Sequence, residues 1–156
     1  MKTQKTHSKA FFLMVISLIS AISISCSKDD DNTGKELRYF RFSSCPQETH
    51  GNWQDTSFVA ATSNPEVIAK CLAELRLPLE NRTLFPLGKL AQGNAGYNKN
   101  ASHNFSWHFI EDDWDMVEFG IEIYDGCAYT DAELADYLNT VERYGGWSNL
   151  VLEELQ

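Results

Sequence analysis

Hydrophobic and polar positions form a succession of short patterned segments after residue 36. Leu37 to Phe42 and Ser57 to Thr62 are rich in aromatic and β-branched residues, which predicts two strands joined as a long-looped hairpin. Leu84 to Ala91 predicts a third strand. Pro86 and Gly88 interrupt it, as is typical of an edge or bulged strand.

Two segments show the spacing of amphipathic helices. The first begins with Asn64 as its N-cap, followed by a proline, and Pro78 ends it. Its apolar stripe consists of Ile68, Cys71, Leu72 and Leu75. The second begins with a capping box at Thr130 and Glu133, and the Gly145-Gly146 pair closes it. Its apolar stripe consists of Leu134, Tyr137, Leu138 and Val141.

The clearest alternation in the chain predicts a hairpin around an acidic turn from Glu111 to Asp115. The apolar positions of its first strand are Phe105, Trp107 and Phe109, and those of its second are Val117, Phe119, Ile121 and Ile123. Burying both sets together fixes the register, because a slip of one residue would turn every side chain over. The outer face then carries Ser106, His108, Glu118, Glu122 and Tyr124.

Strands before and after each helix, with a short last strand within Trp147 to Leu155, predict an α+β fold. We expect a single domain over residues 37–156, with a mostly antiparallel sheet of about five to six strands and two helices packed on it. Residues 93–104 are dense in Gly and Asn and predict a long loop around Tyr97.

The first 25 residues have the composition of a secretion signal. Lys2, Lys5 and Lys9 precede an apolar run that is shorter than the roughly 20 residues of a membrane span. Small residues lead into Cys26 and resemble a lipobox, which predicts cleavage before Cys26 and its lipidation. A simple N-terminal anchor and a cleaved soluble secretory peptide are the alternatives.

Residues 27–36, after Cys26, are polar and include three consecutive aspartates at positions 29–31, so residues 26–36 are predicted to form a flexible tether. Acids directly after a lipidated cysteine also resemble an export signal for the outer leaflet of some Gram-negative bacteria. We therefore expect a surface-exposed outer membrane lipoprotein, attached to the membrane through its N-terminal lipid.

Charge narrows the classes of partner. Cleavage would remove three of the 13 basic residues, leaving ten against 22 acidic residues, a net charge of −12 in place of −9. From Glu111 to Gln156 there are 13 acids and a single basic residue, Arg143. Such a surface repels nucleic acid, which excludes it as a partner, and attracts cations or basic partners.

Three groups of residues are candidates for chemistry. His108 beside Glu118 and Glu122 would suit a general acid or a metal site, although an ordinary polar sheet face is the commoner explanation. The acidic turn offers oxygen atoms to calcium but lacks the spacing of an EF-hand loop. Amides and rings of the Gly/Asn loop would suit an extracellular glycan or protein. Its candidate ligand-binding residues are Tyr97, Asn98 and His103, with Ser106 beside them.

Catalytic and cofactor motifs are absent from the sequence: there is no nucleophile elbow, zinc-binding motif, Cys-x-x-Cys or phosphate-binding loop. We therefore expect no cofactor and a non-catalytic binding domain. A hydrolase that uses His108 with Glu118 or Glu122 is the alternative, and an envelope structural protein is a third. With Cys26 lipidated and Cys71 buried on a helix, Cys45 and Cys127 form the expected disulfide.

The motifs together resemble those of the BP seventy-four N-terminal domain family, small secreted bacterial domains often labelled calmodulin-binding. The resemblance extends from Leu37 to Leu155. The segments that carry it are Phe40-Arg41-Phe42, Asn64 to Ile68, Gly93 to Asn98, Ser106 to Phe109, Val117 to Gly126, Trp147-Ser148 and Leu150-Val151.

The resemblance implies cysteines where this chain has Tyr124 and Gly145, so the disulfide that they would form is missing here. A replacement bridge through Cys127 is not implied by the family. The calmodulin label does not transfer, because bacteria lack calmodulin and this acidic domain has no basic amphipathic helix for it.

Overall fold

Two antiparallel sheets of three strands form the fold in the computed structural model, which describes residues 36–44, 55–120, 134, 138–141 and 143–156. Gly34–Gln156 form one compact unit. The elements are β1 (Arg38–Phe42), β2 (Phe58–Thr62), α1 (Pro65–Leu75), β3 (Phe85–Gln92), β4 (Trp107–Val117), β5 (Arg143–Tyr144) and β6 (Val151–Leu155), with a 3-10 turn at Leu79–Asn81. The sheets have the orders β2-β1-β6 and β4-β3-β5. The domain is therefore mostly β, and the expectation of one sheet with five to six strands was wrong.

Local pattern predicted the first half of the domain correctly. β1 and β2 pair antiparallel, from Arg38 opposite Thr62 to Phe42 opposite Phe58. α1 begins at its N-cap Asn64, whose side chain accepts the N–H of Glu66, and it ends before Pro78. No helix in the described part of the chain is both long and apolar enough to cross a membrane.

The predicted hairpin around the acidic residues was wrong. β4 is one strand of 11 residues that pairs with the same strand, β3, on both sides of the acidic segment, so no hairpin turn separates Trp107 from Val117. Glu111, Asp112 and Asp113 lie in a bulge of β4, because Gly88 pairs with Trp114 whereas Leu90 pairs with Phe109, and Asp115 lies beyond it, opposite Leu87. Phe119, expected to be buried, is 84% exposed.

The register of β3 shifts between Gly88 and Leu90, but the extra residues of this bulge belong to β4, and β3 is the central strand of its sheet and not an edge. Gly88 is required there, because a Cβ atom would lie 2.2 Å from the Cβ of Trp114. The sequence pattern also missed β5, which occupies part of the segment assigned to the end of the second helix. Leu134 and residues 138–140 do have helical backbone, and Leu134 is buried in the core.

Aromatic side chains fill the core between the elements. Phe58 is at its centre, with ring centroids 5.4 Å from Trp107, 5.5 Å from Phe42 and 6.0 Å from Phe109. Each such pair contributes about 0.5–1.5 kcal/mol beyond the apolar area it buries. α1 contacts β4 and β6, and its buried residue Cys71 acts as a small apolar side chain, as predicted.

Side chains join the outer edge of β2 to β4. The N–H of Val59 donates to Oδ1 of Asn98 over 2.9 Å, and Nδ2 of Asn98 donates to the carbonyl of Trp107 over 2.8 Å. Nε1 of Trp114 donates to the carbonyl of Ala61 over 2.8 Å. The edge of the first sheet is thus hydrogen-bonded by a side chain of the Gly/Asn loop and by one of the second sheet, and these bonds hold the loop against the first sheet.

Candidate functional site

The structure does not bring His108 beside Glu118, as the predicted hairpin required. His108 lies opposite Ala91, whereas Val117, which precedes Glu118, lies opposite Phe85. Those two positions are six residues apart along β3, or about 20 Å at the rise of a strand. His108 and Glu118 are therefore at opposite ends of the sheet, and Glu122 lies outside the described residues. The His108–Glu118 pair that the hydrolase hypothesis required is therefore not formed.

His108 and Tyr97 nevertheless lie together at one end of β4. Nδ1 of His108 is 2.6 Å from the carbonyl oxygen of Gly93, and the two rings meet edge to face with centroids 6.0 Å apart. The hydroxyl of Tyr97 is 3.1 Å from both the carbonyl of Phe109 and Oε1 of Glu111. Burial and the charge of Glu111 raise the pKa of Tyr97, so the phenol stays neutral.

The other loop candidates have different roles. Asn98 is fully buried and uses both ends of its amide to join β2 to β4, so its assignment to a ligand was wrong. His103 packs its ring on Phe105, with centroids 5.0 Å apart. Ser106 is exposed, and its carbonyl accepts the N–H of Gly93. The loop is therefore an ordered connection more than a set of free ligand groups.

Asp112, a candidate calcium ligand, caps the turn before α1. Its carboxylate accepts the hydroxyl of Thr62, both the hydroxyl and N–H of Ser63, and the N–H of Asn64, over 2.6 to 3.0 Å. The hydrogen bond from the Ser63 hydroxyl, together with the other hydrogen bonds, lowers the pKa of Asp112 and outweighs the opposing effect of burial. Asp112 holds this position with a left-handed backbone, φ +63°.

The remaining acids of the segment also have separate partners. Asp115 forms an ion pair with Lys70 of α1 at 2.6 Å, and Asp113 lies 3.9 Å from Lys89. Asp113 and Asp115 lie two residues apart, on either side of the buried Trp114, and each is held by a different lysine. Within the described residues there is no group of three or more His, Cys, Asp or Glu side chains placed to hold a metal ion.

An open cleft that the sequence did not predict lies on the outer face of the first sheet, with a volume of about 550 Å³. We call it the Arg41 cleft. Its walls come from β1, from the segment before β2, from the Gly/Asn loop and from β6. The lining residues are Arg41, Asp55, Ser57, Lys99, Asn100, Ala101, Leu152 and Glu153.

Strand register places Arg41 at the centre of this cleft. Phe40 and Phe42 point into the core, so the side chain between them points to the outer face. Arg41 pairs in register with Glu153, and its Nε donates to Oε1 of Glu153 over 2.7 Å. Its Nη1 donates to the hydroxyl of Ser57 over 3.1 Å and lies 3.7 Å from Oδ2 of Asp55. The guanidinium is thereby held in one orientation.

The opposite wall is held just as firmly. Nδ2 of Asn100 donates to the carbonyls of Ser57 and Asp55 over 2.6 and 3.0 Å, and Oδ1 accepts the N–H groups of Ser102 and His103. Burial alone would raise the pKa of Asp55. Hydrogen bonds from the hydroxyl and N–H of Ser57 outweigh it and lower that pKa, with a further contribution from the charge of the arginine. The carboxylate is therefore ionised at neutral pH.

The groups in the cleft can hold a polar molecule by charge and by hydrogen bonds. The cleft presents two cations, two carboxylates, a hydroxyl and an amide, with no cysteine or histidine among its lining residues. Such convergent polar groups fix the orientation of a bound molecule, and the volume is in the range of ligand sites. The only sequence signal was the charged residue between two phenylalanines in the first strand. Its partners depend on strand register across the whole chain.

Cysteine positions add little to this site. Cys71 is a free, buried thiol, and burial raises its pKa to about 12. Cys26, Cys45 and Cys127 lie outside the described residues, so lipidation and the Cys45–Cys127 disulfide stay predictions.

Comparison with known proteins identifies the family but no close relative. The family model of the BP seventy-four N-terminal domain matches residues 36–156, the whole of the described part of the chain. No curated protein and no solved structure matches significantly. The match covers most of the sequence and confirms the resemblance found in its motifs. The chain belongs to the BP seventy-four N-terminal domain family.

Proposed function

We propose that this protein is a lipid-anchored binding domain of the bacterial envelope whose ligand occupies the Arg41 cleft. The observation that carries the proposal is the convergence of oriented polar groups from four separate segments on one open cleft. Holding these side chains in fixed rotamers before a ligand arrives reduces the entropy that binding costs. An extracellular glycan or a protein segment has the polar groups that such a cleft recognises.

The anchor in this proposal is the lipid on Cys26, supported by the lysines and apolar run that precede it. Replacing Cys26 with Ala should move the protein from the membrane fraction to the soluble fraction of cells. If the variant stays in the membrane pellet, the lipid anchor is refuted. Protease treatment of intact cells tests surface exposure separately, because only an outward-facing domain would be degraded.

Binding is tested with the full chain in detergent against an array of bacterial and host glycans and a library of displayed peptides. Arg41→Gln should weaken any true ligand at least about tenfold, because it removes the guanidinium that the cleft is built around. Arg76→Gln is the matched control, since Arg76 is an exposed arginine at the end of α1. Loss of binding in both variants, or in neither, contradicts the assignment of the cleft.

A further inference from the structure

The last strand, β6, has an open edge. In the order β2-β1-β6 it is the outer strand, and among the described residues it pairs with β1 alone. Within the part of the chain that the structure describes, the contact on that side is at the first residue of the strand, where Nη1 of Arg82 donates to the carbonyl of Val151. An open edge exposes backbone donors and acceptors that an extended chain can pair with.

Hydrogen bonds elsewhere in the sheet show which residue of β6 faces outward. On β2, the N–H of Val59 and the carbonyl of Ala61 point away from β1, so Phe40 and its even-numbered neighbours bond to β2. The odd-numbered residues of β1 therefore bond to their partners Glu153 and Leu155 on β6. By alternation, the backbone N–H and carbonyl of Glu154 point to the open side.

Two hollows have residues of β6 in their lining. The Arg41 cleft is lined in part by Leu152 and Glu153. A second hollow of about 660 Å³ follows along the strand. Its lining residues are Glu36, Leu37, Arg38, Tyr39, Glu154, Leu155 and Gln156. An extended chain that paired with β6 would pass both hollows and direct side chains toward them, the arrangement of strand addition in peptide recognition.

We propose that β6 binds an extended polypeptide segment of a partner protein as an added strand, with side chains of that segment in the two hollows. This inference rests on the proposed binding function and names its ligand class. A glycan has no regular row of amides to pair with the open edge. A second copy of the chain would bring Glu153 and Glu154 against the same acids of its neighbour. Glu153 and Glu154 are already paired with Arg41 and Arg38, so the segment is recognised through its backbone and through the side chains that enter the two hollows.

The test selects random peptides of about twelve residues from a phage library against the full chain in detergent, and measures their affinities for variants. Glu154→Pro removes the outward N–H without removing a bond to β1. Glu154→Ala is the matched control, because it loses the same side chain and its ion pair with Arg38 but keeps the N–H. We expect Glu154→Pro to lose at least about tenfold in affinity and Glu154→Ala to lose less than about threefold. Equal losses, or no loss, overturn the proposal.

Methylated peptides give an answer even if the proline variant does not fold. In a paired strand, every second backbone N–H points to the neighbouring strand. N-methyl groups on one alternate set of peptide amides should therefore abolish binding, whereas N-methyl groups on the other set should leave the affinity within about threefold. Equal effects of both sets overturn the proposal. If no peptide is selected but a glycan binds and Arg41→Gln weakens its binding, the proposal of an added strand is refuted. The assignment of a ligand to the Arg41 cleft is then supported. If neither class of ligand binds, the proposed function fails as well.

Discussion

The amide of Asn98 should contribute more to stability than any other polar side chain of the Gly/Asn loop. Asn98→Ala leaves the N–H of Val59 and the carbonyl of Trp107 in a buried position without their partner. An unsatisfied buried group costs about 1–3 kcal/mol, so the loss should be roughly 2–5 kcal/mol. For a domain of this size that corresponds to a melting temperature lower by roughly 8–20 °C.

Asn98→Asp separates hydrogen bonding from the loss of volume. A protonated aspartate can still accept from Val59 and donate to Trp107, whereas a carboxylate is charged, buried and faces a carbonyl oxygen. Its pKa in the folded state should therefore be raised above the unfolded value of about 3.9, so its stability falls as pH rises from about 4 toward the folded-state value. The deficit against the parent chain should be larger at neutral pH than near about pH 4.5.

The assay is unfolding by urea and by heat of a soluble chain that begins at Ser27. Tryptophan fluorescence monitors the unfolding at neutral pH and at about pH 4.5. Asn94→Asp is the control, because the Asn94 side chain only accepts a hydrogen bond, from the N–H of Gly96, and aspartate accepts it equally. The reasoning is refuted if Asn98→Ala costs less than about 0.5 kcal/mol. It is also refuted if the deficit of Asn98→Asp does not depend on pH.

Three further predictions concern packing, burial and capping. Gly88→Ala should destabilise the domain by more than about 2 kcal/mol in urea unfolding, because its Cβ would overlap Trp114, whereas Gly96→Ala, in open space at positive φ, should cost only about 1 kcal/mol. Cys71, whose pKa is raised to about 12 by burial, should not react with a thiol reagent until the domain unfolds, in a chain whose other cysteines are replaced. Asp112→Asn should cost about 1 kcal/mol at neutral pH. The lowered pKa of Asp112 gives the parent chain stability that is complete above about pH 4 and is lost as the pH falls further. The free energy of unfolding of Asp112→Asn should therefore decrease less steeply in acid than that of the parent chain in the same assay.

Elements that local chemistry specifies were predictable from the sequence. α1 was found because Asn64, the proline after it and Pro78 act on their own neighbours. β1 and β2 were found because their aromatic and β-branched residues favour strands. Each of these signals operates within a few residues, so no knowledge of the rest of the fold was needed.

The hairpin failed because its acidic residues have partners that are distant in sequence. Four acids within the five residues from Glu111 to Asp115 are typical of a turn. Here Asp112 bonds to the turn before α1, and Asp115 pairs with Lys70 of that helix. These contacts allow the chain to continue as one bulged strand. The predicted site depended on the turn, so the error in one element separated His108 from Glu118.

The Arg41 cleft could not have been predicted for a related reason. Arg41, Asp55, Lys99 and Glu153 are ordinary surface residues when each is taken alone. The pairing of β1 with β6 brings Glu153 to Arg41, and the amide of Asn100 brings the loop to the segment before β2. A pattern within one segment does not contain such register information.

Hydrogen–deuterium exchange of the full chain, with and without a ligand from the screens, tests the central claim most directly. Protection on binding should appear in residues 55–57, 99–101 and 152–153, and should be absent in Arg41→Gln. The segments around Gly93 and His108 should exchange at the same rate with and without ligand. Protection confined to those two segments would place the ligand at the site expected from the sequence and would contradict the assignment of the Arg41 cleft.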